Sequence, residues 1–297
     1  MRLRAAISAQ TALHMKAFFA FFFGLVLANE SLADPASFTW PDGRHAAIAL
    51  TYDDALGSQL DVAIPQLNAA GLKGTFFLEG DFDQTDLPRW RAVAAAGHEL
   101  GNHSIFHPCA RGTFEMPPQY NNENYSIETM LNEIRVMNTL LFAIDGRATR
   151  GYATPCGQTV VGGKDYIEEL RASGLVRYVR SVDHRPLSLD PRPTVLDPYL
   201  INTFDVATQF FDEGVAGEQL IAFVAHVRRS GGFGVLGFHG VAGDYLTTSA
   251  EAHQALVHYL EANQGDIWIA PLGELLDYIA AHREDKSAKD TLEFTAK

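Results

Sequence analysis

The sequence AAIALTYDD, residues 46–54, is an apolar run that ends in two adjacent aspartates. A short continuous apolar run of this kind is typical of a strand buried in a parallel sheet. Asp53 and Asp54 then stand at the carboxyl end of the strand, the edge at which α/β barrels assemble their active sites. This stretch therefore predicts the fold class and one part of a candidate site.

Strand-like and helix-like segments alternate through the rest of the chain. Strands are predicted over 45–52, 74–78, 98–101, 149–154, 176–182, 202–207, 233–239 and 267–271, and helices over 58–70, 88–96, 126–143, 164–173, 217–230, 249–263 and 272–283. Repeated strand–helix alternation predicts a parallel α/β fold, either a barrel or a doubly wound sheet. No internal repeat or linker divides the sequence into smaller domains.

Two histidines follow another predicted strand end, in the segment His103-Ser104-Ile105-Phe106-His107. If this segment is helical, the four-residue spacing brings both imidazoles to one face. One carboxylate and two imidazoles can hold a divalent metal with open positions for water, and a second carboxylate beside that water can act as general base. Exposed histidines and a simple aspartate turn are the alternative interpretation. The position of both groups at strand ends favours a metal-dependent hydrolase.

The composition limits the classes of partner. The 297-residue chain has a formal net charge of −13 at pH 7. A surface of this sign repels nucleic acid and anionic lipid, so we expect no nucleic-acid partner. It suits a soluble protein that acts on a neutral or cationic substrate.

Residues 1–33 have the features of a signal peptide. A basic leader extends to Lys16, and a Phe-rich apolar run of 12 residues follows over 17–28. This run is too short to span a bilayer comfortably, and Ser31-Leu32-Ala33 supplies the small residues that a signal peptidase reads. Cleavage is expected before Asp34, and the protein is therefore expected in the periplasm or outside the cell. An uncleaved anchor is the alternative.

The remaining sequence is interpreted as a catalytic domain over 34–283 and a polar tail over 284–297. Removal of residues 1–33 takes away three basic residues and one acidic residue, which changes the net charge from −13 to −15. No later segment is apolar enough to cross a membrane. Export would permit a disulfide between the two cysteines, Cys109 and Cys156, and two free buried thiols are the alternative.

The motifs in this order resemble those of the polysaccharide deacetylase family, carbohydrate esterase family four, also called the NodB homology domain. The first family motif, T-F-D-D-G, corresponds to Thr51-Tyr52-Asp53-Asp54-Ala55, and the second, H-[ST]-x-x-H, is matched in full by residues 103–107. A late motif, Leu-x-His at a strand end, corresponds to Val235-Leu236-Gly237-Phe238-His239 with one extra residue. The resemblance extends over roughly residues 45–280.

The resemblance implies a distorted (β/α) barrel of about seven strands and a role for each matched residue. It implies that Asp53 is the general base and that His239 is the general acid. It implies Asp54, His103 and His107 as ligands of a divalent metal, with Zn²⁺ as the expected ion.

The third family motif, R-P-P-Y-G, is only partly matched. Its end corresponds to Pro155-Cys156-Gly157, but Ala153 stands at the position of the arginine that orients the base. Arg150 and Arg180 are the candidates to replace that arginine. The resemblance implies that a backbone N–H near Cys156 stabilises the oxyanion, with Tyr152 and Pro155 in the same pocket.

The fourth family motif, D-x-x-D-W, has no full match, and Asp183 and Asp205 are weak candidates for its role beside the acid histidine. The expected activity is removal of acetyl groups from a carbohydrate, through an amide or an ester bond. Two alternatives stay open, a carbohydrate-binding protein with little or no activity and a C–N hydrolase of the same fold that acts on a small cyclic amide.

Overall fold

A computed structural model of the chain describes residues 38–182 and 195–283. The predicted signal peptide, the polar tail and Asp183 lie outside these residues. Among the described helices, none combines the length and the apolar character that a membrane span requires.

Ten strands are formed within the described residues. They are β1 Ala46–Asp53, β2 Thr75–Leu78, β3 Glu99–Asn102, β4 Gly151–Ala153, β5 Val160–Val161, β6 Lys164–Asp165, β7 Tyr178–Val182, β8 Asp205–Phe210, β9 Phe233–Phe238 and β10 Ile267–Ile269. The predicted strands are all present, with ends that differ by a few residues.

Seven α-helices lie between or after these strands in the described residues. They are α1 Ile64–Ala69, α2 Leu87–Ala95, α3 Ile127–Asp145, α4 Ile167–Ser173, α5 Gly217–Ser230, α6 Ala250–Ala262 and α7 Leu272–His282, and a π-helical turn, Gln59–Ala63, precedes α1. The longest helix, α3, begins where Ser126 Oγ accepts the N–H of Thr129 and ends at Gly146, whose φ is 72°. Both ends follow the residue preferences of helix caps.

The strands close into a parallel barrel. Seven of them follow one another in the order β1-β2-β3-β4-β7-β8-β9, and β9 pairs back onto β1. The short strand β10 pairs with residues 46–48 at the beginning of β1. The predicted distorted (β/α) barrel of about seven strands is therefore confirmed, and every strand of the ring ends at the same rim.

Side chains of β1 alternate between two cores, as the pleat of a strand requires. Ile48, Leu50 and Tyr52 belong to a core shared with α1, α5 and α6. Ala47 and Ala49 belong to a second core, inside the barrel and against α7. Asp53 has the same parity as these two alanines, so β1 directs its carboxylate toward the barrel interior.

One predicted helix begins later than the pattern indicated. Residues 164–165 pair with 160–161 as the hairpin β5–β6, with Gly162 and Gly163 in its turn at positive φ. Two glycines at positive φ favour a tight hairpin turn over a helical start. The helix α4 begins only at Ile167.

Candidate metal centre and active site

Asp53, the last residue of β1, forms a buried ion pair with Arg180. Both carboxylate oxygens accept hydrogen bonds from Nη2 of Arg180. The guanidinium carbon lies 5.1 Å from the ring centre of Phe77 and 5.2 Å from that of Phe210. The base candidate is thereby held by a cation that is itself enclosed by aromatic rings.

Arg180 takes the place of the arginine that the third motif lacks at Ala153. Arg180 lies on β7 and is the register partner of Ala153 on β4, the position at which the family places its arginine. Arg150, the other candidate, lies just before β4 at the opposite end of the barrel and binds Asp145. Arg180 therefore provides the cation at the height of Ala153, from the neighbouring strand.

Asp54 turns away from Asp53 because its backbone adopts φ 76°, in the left-handed region. Its Oδ1 lies 3.2 Å from Nε2 of His103 and 3.4 Å from Nε2 of His107. The two imidazole Nε2 atoms are 3.2 Å apart. One carboxylate oxygen and two ring nitrogens therefore converge on one small volume.

The segment that carries the two histidines is a tight loop and not a helix. Ser104 and His107 have φ of 65° and 46°. The Ser104 N–H donates to Oδ1 of Asn102 at 2.7 Å, and the His107 N–H donates to Oγ of Ser104 at 3.0 Å. These bonds, and not helical spacing, bring His103 and His107 to the same side.

The tautomer of His103 follows from its partner. Nδ1 lies 2.9 Å from the carbonyl oxygen of Ala153, which can only accept, so Nδ1 carries the proton. Nε2 is then directed to Oδ1 of Asp54. An imidazole fixed in this way is the usual form of a histidine that binds a metal.

The electrostatics of this group favour a cation. Burial disfavours charge on Asp54, but the neighbouring imidazole of His103, with those of His107 and His239 beyond it, outweighs burial and holds the pKa of the carboxyl well below its usual range. Burial also opposes charge on His103, and the carboxylates of Asp53 and Asp54 outweigh it and raise the pKa of that imidazole. Burial and the neighbouring His103 lower the pKa of His107 to about 4.

The three side chains fit a divalent metal. Their ligand atoms all lie within 4.8 Å of one another. Oδ1 of Asp54 is buried and accepts no hydrogen bond from any described residue, a costly state unless a cation occupies the space beside it. One carboxylate and two imidazoles are ligands that Zn²⁺ accepts, and they leave coordination positions open.

His239 follows β9 on the same rim. Its Nε2 lies 3.8 Å from Oδ2 of Asp54, and its ring stacks on Phe210 with centroids 4.9 Å apart. Gly237 leaves the space for Phe210, because a Cβ there would come within 2.5 Å of the phenyl ring. Asp205, a candidate for the fourth motif, begins β8 at the opposite end from Phe210 and so does not lie beside His239.

The turn Pro155–Gly157 lies next to the histidine loop, and Cys156 adopts φ 54° there. Cys156 forms a disulfide with Cys109, with Cα atoms 5.9 Å apart, which decides between the two alternatives for these cysteines. Sγ of Cys109 lies 3.6 Å from Nδ1 of His107. The bond joins the turn after β4 to the loop that carries a metal-ligand candidate.

Tyr152 does not lie with this group, contrary to its expected place in the pocket. Its side chain is fully buried in a third core, formed with α3 and α4, and its hydroxyl lies 3.0 Å from that of Tyr166. The reason is strand parity, since the neighbouring residue Ala153 takes the inward position.

Sequence reasoning missed two polar residues at this rim. Tyr245, in the loop after β9, donates from its hydroxyl to Oδ2 of Asp54 at 2.9 Å. Glu79 directly follows β2, and burial together with the nearby Asp54 raises its pKa to about 7. The strand-end rule would have indicated Glu79, whereas Tyr245 stands seven residues after the end of β9 within a loop and gives no such signal.

Comparisons with known proteins agree with the geometry. Residues 41–178 match the sequence model of the polysaccharide deacetylase family. A gellan lyase from a Bacillus species is 26% identical over 159 residues, which are 53% of this chain and 6% of the lyase. The uncharacterized protein YlxY of Bacillus subtilis is 37% identical over 62 residues, 20% of this chain and 19% of YlxY. The chain thus spans a small part of these curated relatives.

Solved structures show the same fold. The peptidoglycan deacetylase PdaC from Bacillus subtilis superposes with a TM-score of 0.54 at 18% identity, covering 83% of this chain and 96% of PdaC. A putative polysaccharide deacetylase from Mycobacterium smegmatis gives a TM-score of 0.55 at 21% identity, covering 84% of this chain and 95% of the other. Residues 41–178, which contain Asp53, Asp54, His103 and His107, thus match the polysaccharide deacetylase family in sequence, and the described barrel has the fold of these two deacetylases.

Proposed function

We propose that this chain is an exported, metal-dependent hydrolase that removes acetyl groups from a carbohydrate, such as an N-acetyl sugar polymer, peptidoglycan or an acetylated polysaccharide. The observation that carries the proposal is that two adjacent buried aspartates have different partners. Asp53 is bound by Arg180, and Asp54 faces His103 and His107. One carboxylate is thereby suited to proton transfer and the other to a cation.

Asp54, His103 and His107 are the proposed metal ligands, and Zn²⁺ is the expected ion. A divalent ion held there would lower the pKa of a coordinated water to about 7 and polarise the acetyl carbonyl. The fixed tautomer of His103 and the unpaired Oδ1 of Asp54 support this assignment.

Asp53 is the proposed general base, which accepts the proton of the attacking water. Its Oδ2 lies 3.9 Å from Nε2 of His103, so the carboxylate stands beside the proposed ligands. Arg180 fixes the orientation of the carboxylate and leaves oxygen lone pairs available. A positioned base of this type contributes about 10²- to 10⁴-fold to a rate.

His239 is the proposed general acid, which protonates the departing amine or alcohol. Its Nε2 lies beside Oδ2 of Asp54, whereas His107 faces Oδ1, and this separate place suits a group that acts on the leaving atom. The backbone N–H of Cys156 is the proposed donor to the oxyanion, next to Pro155. The left-handed conformation of Cys156 supports this role, because such strain is typical of functional turns.

Exposed aromatic side chains around the histidine loop support a carbohydrate substrate. Phe106 is 50% exposed and stacks on Tyr120 at 4.6 Å, and Phe114 is 48% exposed with its ring 6.0 Å from that of His107. Exposed apolar groups clustered beside a polar site are typical of a ligand-binding surface. The negative net charge suits a neutral or cationic sugar.

The direct test is acetate release from chitooligosaccharide, peptidoglycan and acetylated xylan, each with chelated protein and with protein reloaded with Zn²⁺. We expect release from at least one substrate, only in the metal-loaded protein. The substrate from which acetate is released shows whether an amide or an ester bond is cleaved. Binding of sugar without release of acetate under any condition would contradict the enzymatic proposal and favour the carbohydrate-binding alternative.

The substitution Asp53→Asn tests the base. We expect kcat to fall about 10²- to 10⁴-fold while the zinc content stays at the wild-type level, because Asp53 is not among the proposed ligands. Asp61→Asn is the matched control, since Asp61 is an exposed aspartate whose carboxylate binds Arg89 on the surface. Wild-type activity in metal-loaded Asp53→Asn would refute the role of Asp53.

Export is supported by the leader-like residues 1–33 and by the disulfide, which forms in oxidising compartments. Expression of the full sequence in a bacterial host should give a protein in the periplasm or medium whose amino terminus is Asp34. Mass spectrometry of the purified protein measures this directly. A cytoplasmic protein that retains residues 1–33 would contradict export.

A further inference from the structure

A tyrosine from outside the sequence motifs contacts one of the proposed metal ligands, Asp54. The hydroxyl of Tyr245 donates to Oδ2 of Asp54 at 2.9 Å. The other oxygen, Oδ1, faces Nε2 of His103 and of His107 at 3.2 and 3.4 Å. The two oxygens of this carboxylate therefore have separate neighbours. Oδ2 accepts from the hydroxyl, with Nε2 of His239 beyond it at 3.8 Å, and Oδ1 faces the other two imidazole nitrogens.

The loop that carries Tyr245 has a defined backbone. The N–H of Gly240 donates to the carbonyl oxygen of Tyr245 at 3.2 Å, and the N–H of Thr248 donates to that of Gly240 at 2.9 Å. Ala242 and Leu246 adopt φ of 62° and 47°. Residues other than glycine keep such angles only where the surrounding structure imposes them.

The same loop is attached to the segment that follows Asp54. The N–H of Ser58 donates to Oδ2 of Asp244 at 2.9 Å, and the N–H of Val241 donates to Oγ of Ser58 at 3.1 Å. Ser58 is four residues after Asp54 in the chain. The tyrosine and the carboxylate that it contacts therefore keep fixed positions relative to each other.

We propose that Tyr245 is a positioning residue of the metal centre, whose hydroxyl holds Oδ2 of Asp54 and so directs Oδ1 toward the cation shared with His103 and His107. This inference rests on the proposed function, because it assumes that these three side chains bind a metal. Partners that hydrogen-bond to a ligand behind the metal orient it, and their loss typically weakens metal binding 10- to 100-fold.

Removal of the hydroxyl can be tested without loss of the fold. Tyr245 is 51% exposed, and its hydroxyl makes the contact of interest while its ring is half in solvent. Tyr245→Phe removes one oxygen atom and leaves the ring. Tyr278→Phe is the matched control, because the hydroxyl of Tyr278 also makes one hydrogen bond, to the carbonyl oxygen of Thr39 at 3.0 Å, far from the site.

The experiment measures Zn²⁺ affinity in the full chain, after bound metal has been stripped and by competition with a chromophoric chelator. We expect Tyr245→Phe to bind Zn²⁺ about 10- to 100-fold more weakly than wild type, and Tyr278→Phe to bind it equally well. The Zn²⁺ affinity of Tyr245→Leu should fall by the same factor as that of Tyr245→Phe.

Wild-type Zn²⁺ affinity in Tyr245→Phe would overturn the inference alone. If Tyr245→Leu then bound Zn²⁺ more weakly, the effect would be assigned to ring packing. Failure of the wild-type chain to bind Zn²⁺ would overturn both this inference and the proposed metal centre. The readout is metal affinity and does not depend on which sugar is the substrate.

Discussion

The barrel contains a buried arginine–aspartate pair at each end, and the two pairs differ in how completely they are hydrogen-bonded. At the amino end, Arg150 binds Asp145 and also donates to the carbonyl oxygens of Leu100 and Arg147, so among the described residues only its Nε lacks a partner. At the carboxyl end, Arg180 donates only from Nη2, to Asp53, and both Nε and Nη1 lack a partner among these residues.

The neighbouring carboxylates differ in the same way. Glu99, near the amino end, accepts from the hydroxyls of Thr75 and Tyr178 and from the N–H of Gly273, at 2.9 to 3.0 Å. Oδ1 of Asp54, at the carboxyl end, accepts from no described residue. Unpaired buried polar atoms destabilise a fold. The comparison indicates that the amino end maximises stability, whereas the carboxyl end keeps polar atoms available for ligands.

The largest effect is expected at Arg180, which contributes both to the stability of the fold and to the candidate site. Arg180→Met should lower kcat/KM per folded molecule by about 100-fold or more, because the base loses the cation that orients it. The same change should destabilise the protein by about 3–5 kcal/mol, since it leaves Asp53 as an unpaired buried charge. Urea unfolding and acetate-release kinetics measure the two effects. Lost stability with unchanged kcat/KM would show that Arg180 serves the fold alone.

Arg150→Met is the matched substitution at the other end. We expect a similar loss of about 3–5 kcal/mol in the free energy of unfolding, because Asp145 then becomes the unpaired buried charge. The kcat/KM of the folded fraction should stay within about twofold of wild type, since Arg150 does not contact the site. A large fall in kcat/KM would remove the functional distinction between the two pairs.

The smallest expected effect concerns a histidine at the amino end. Burial, with the nearby Lys73, lowers the pKa of His98 to about 4. Between the unfolded pKa of 6.5 and this folded value, the unfolded state binds the proton first, so stability falls as pH decreases through that window. This contrasts with His103 at the site, whose pKa is raised.

His98→Asn tests this contrast, because the amide keeps an acceptor near the position of Nδ1, which accepts the N–H of Gly74. We expect the loss of stability between pH 7 and pH 5, measured by urea unfolding, to be smaller in the variant by about 1–2 kcal/mol. An identical pH dependence in wild type and variant would mean that His98 titrates normally in the folded protein.

Much of the fold followed from local patterns. The apolar run before Asp53 and the helical periodicity of α3 are local properties, and both elements formed where they were predicted. The hairpin β5–β6 did not follow, because its two strands have two residues each and residues 164–165 fell within a predicted helix.

The site was less predictable because it depends on backbone angles and on contacts between distant segments. The spacing of His103 and His107 would bring both rings to one face of a helix, but positive φ at Ser104 brings them together in a loop. The choice between Arg150 and Arg180 required knowledge of the strand register. The contact of Tyr245 with Asp54 required knowledge of the path of the loop after β9. None of these is encoded by periodicity or by residue type alone.

The register of Ala153 with Arg180 has a consequence for how members of such families are recognised. Adjacent strands are about 4.8 Å apart, so a guanidinium anchored on either one can reach the same carboxylate across the lumen. The strand that carries the charged residue can thus change between related barrels while the charge keeps its position along the barrel axis. When a chain lacks one residue of a family motif, the residue at the same register position on the adjacent strand should be inspected before the chain is judged inactive.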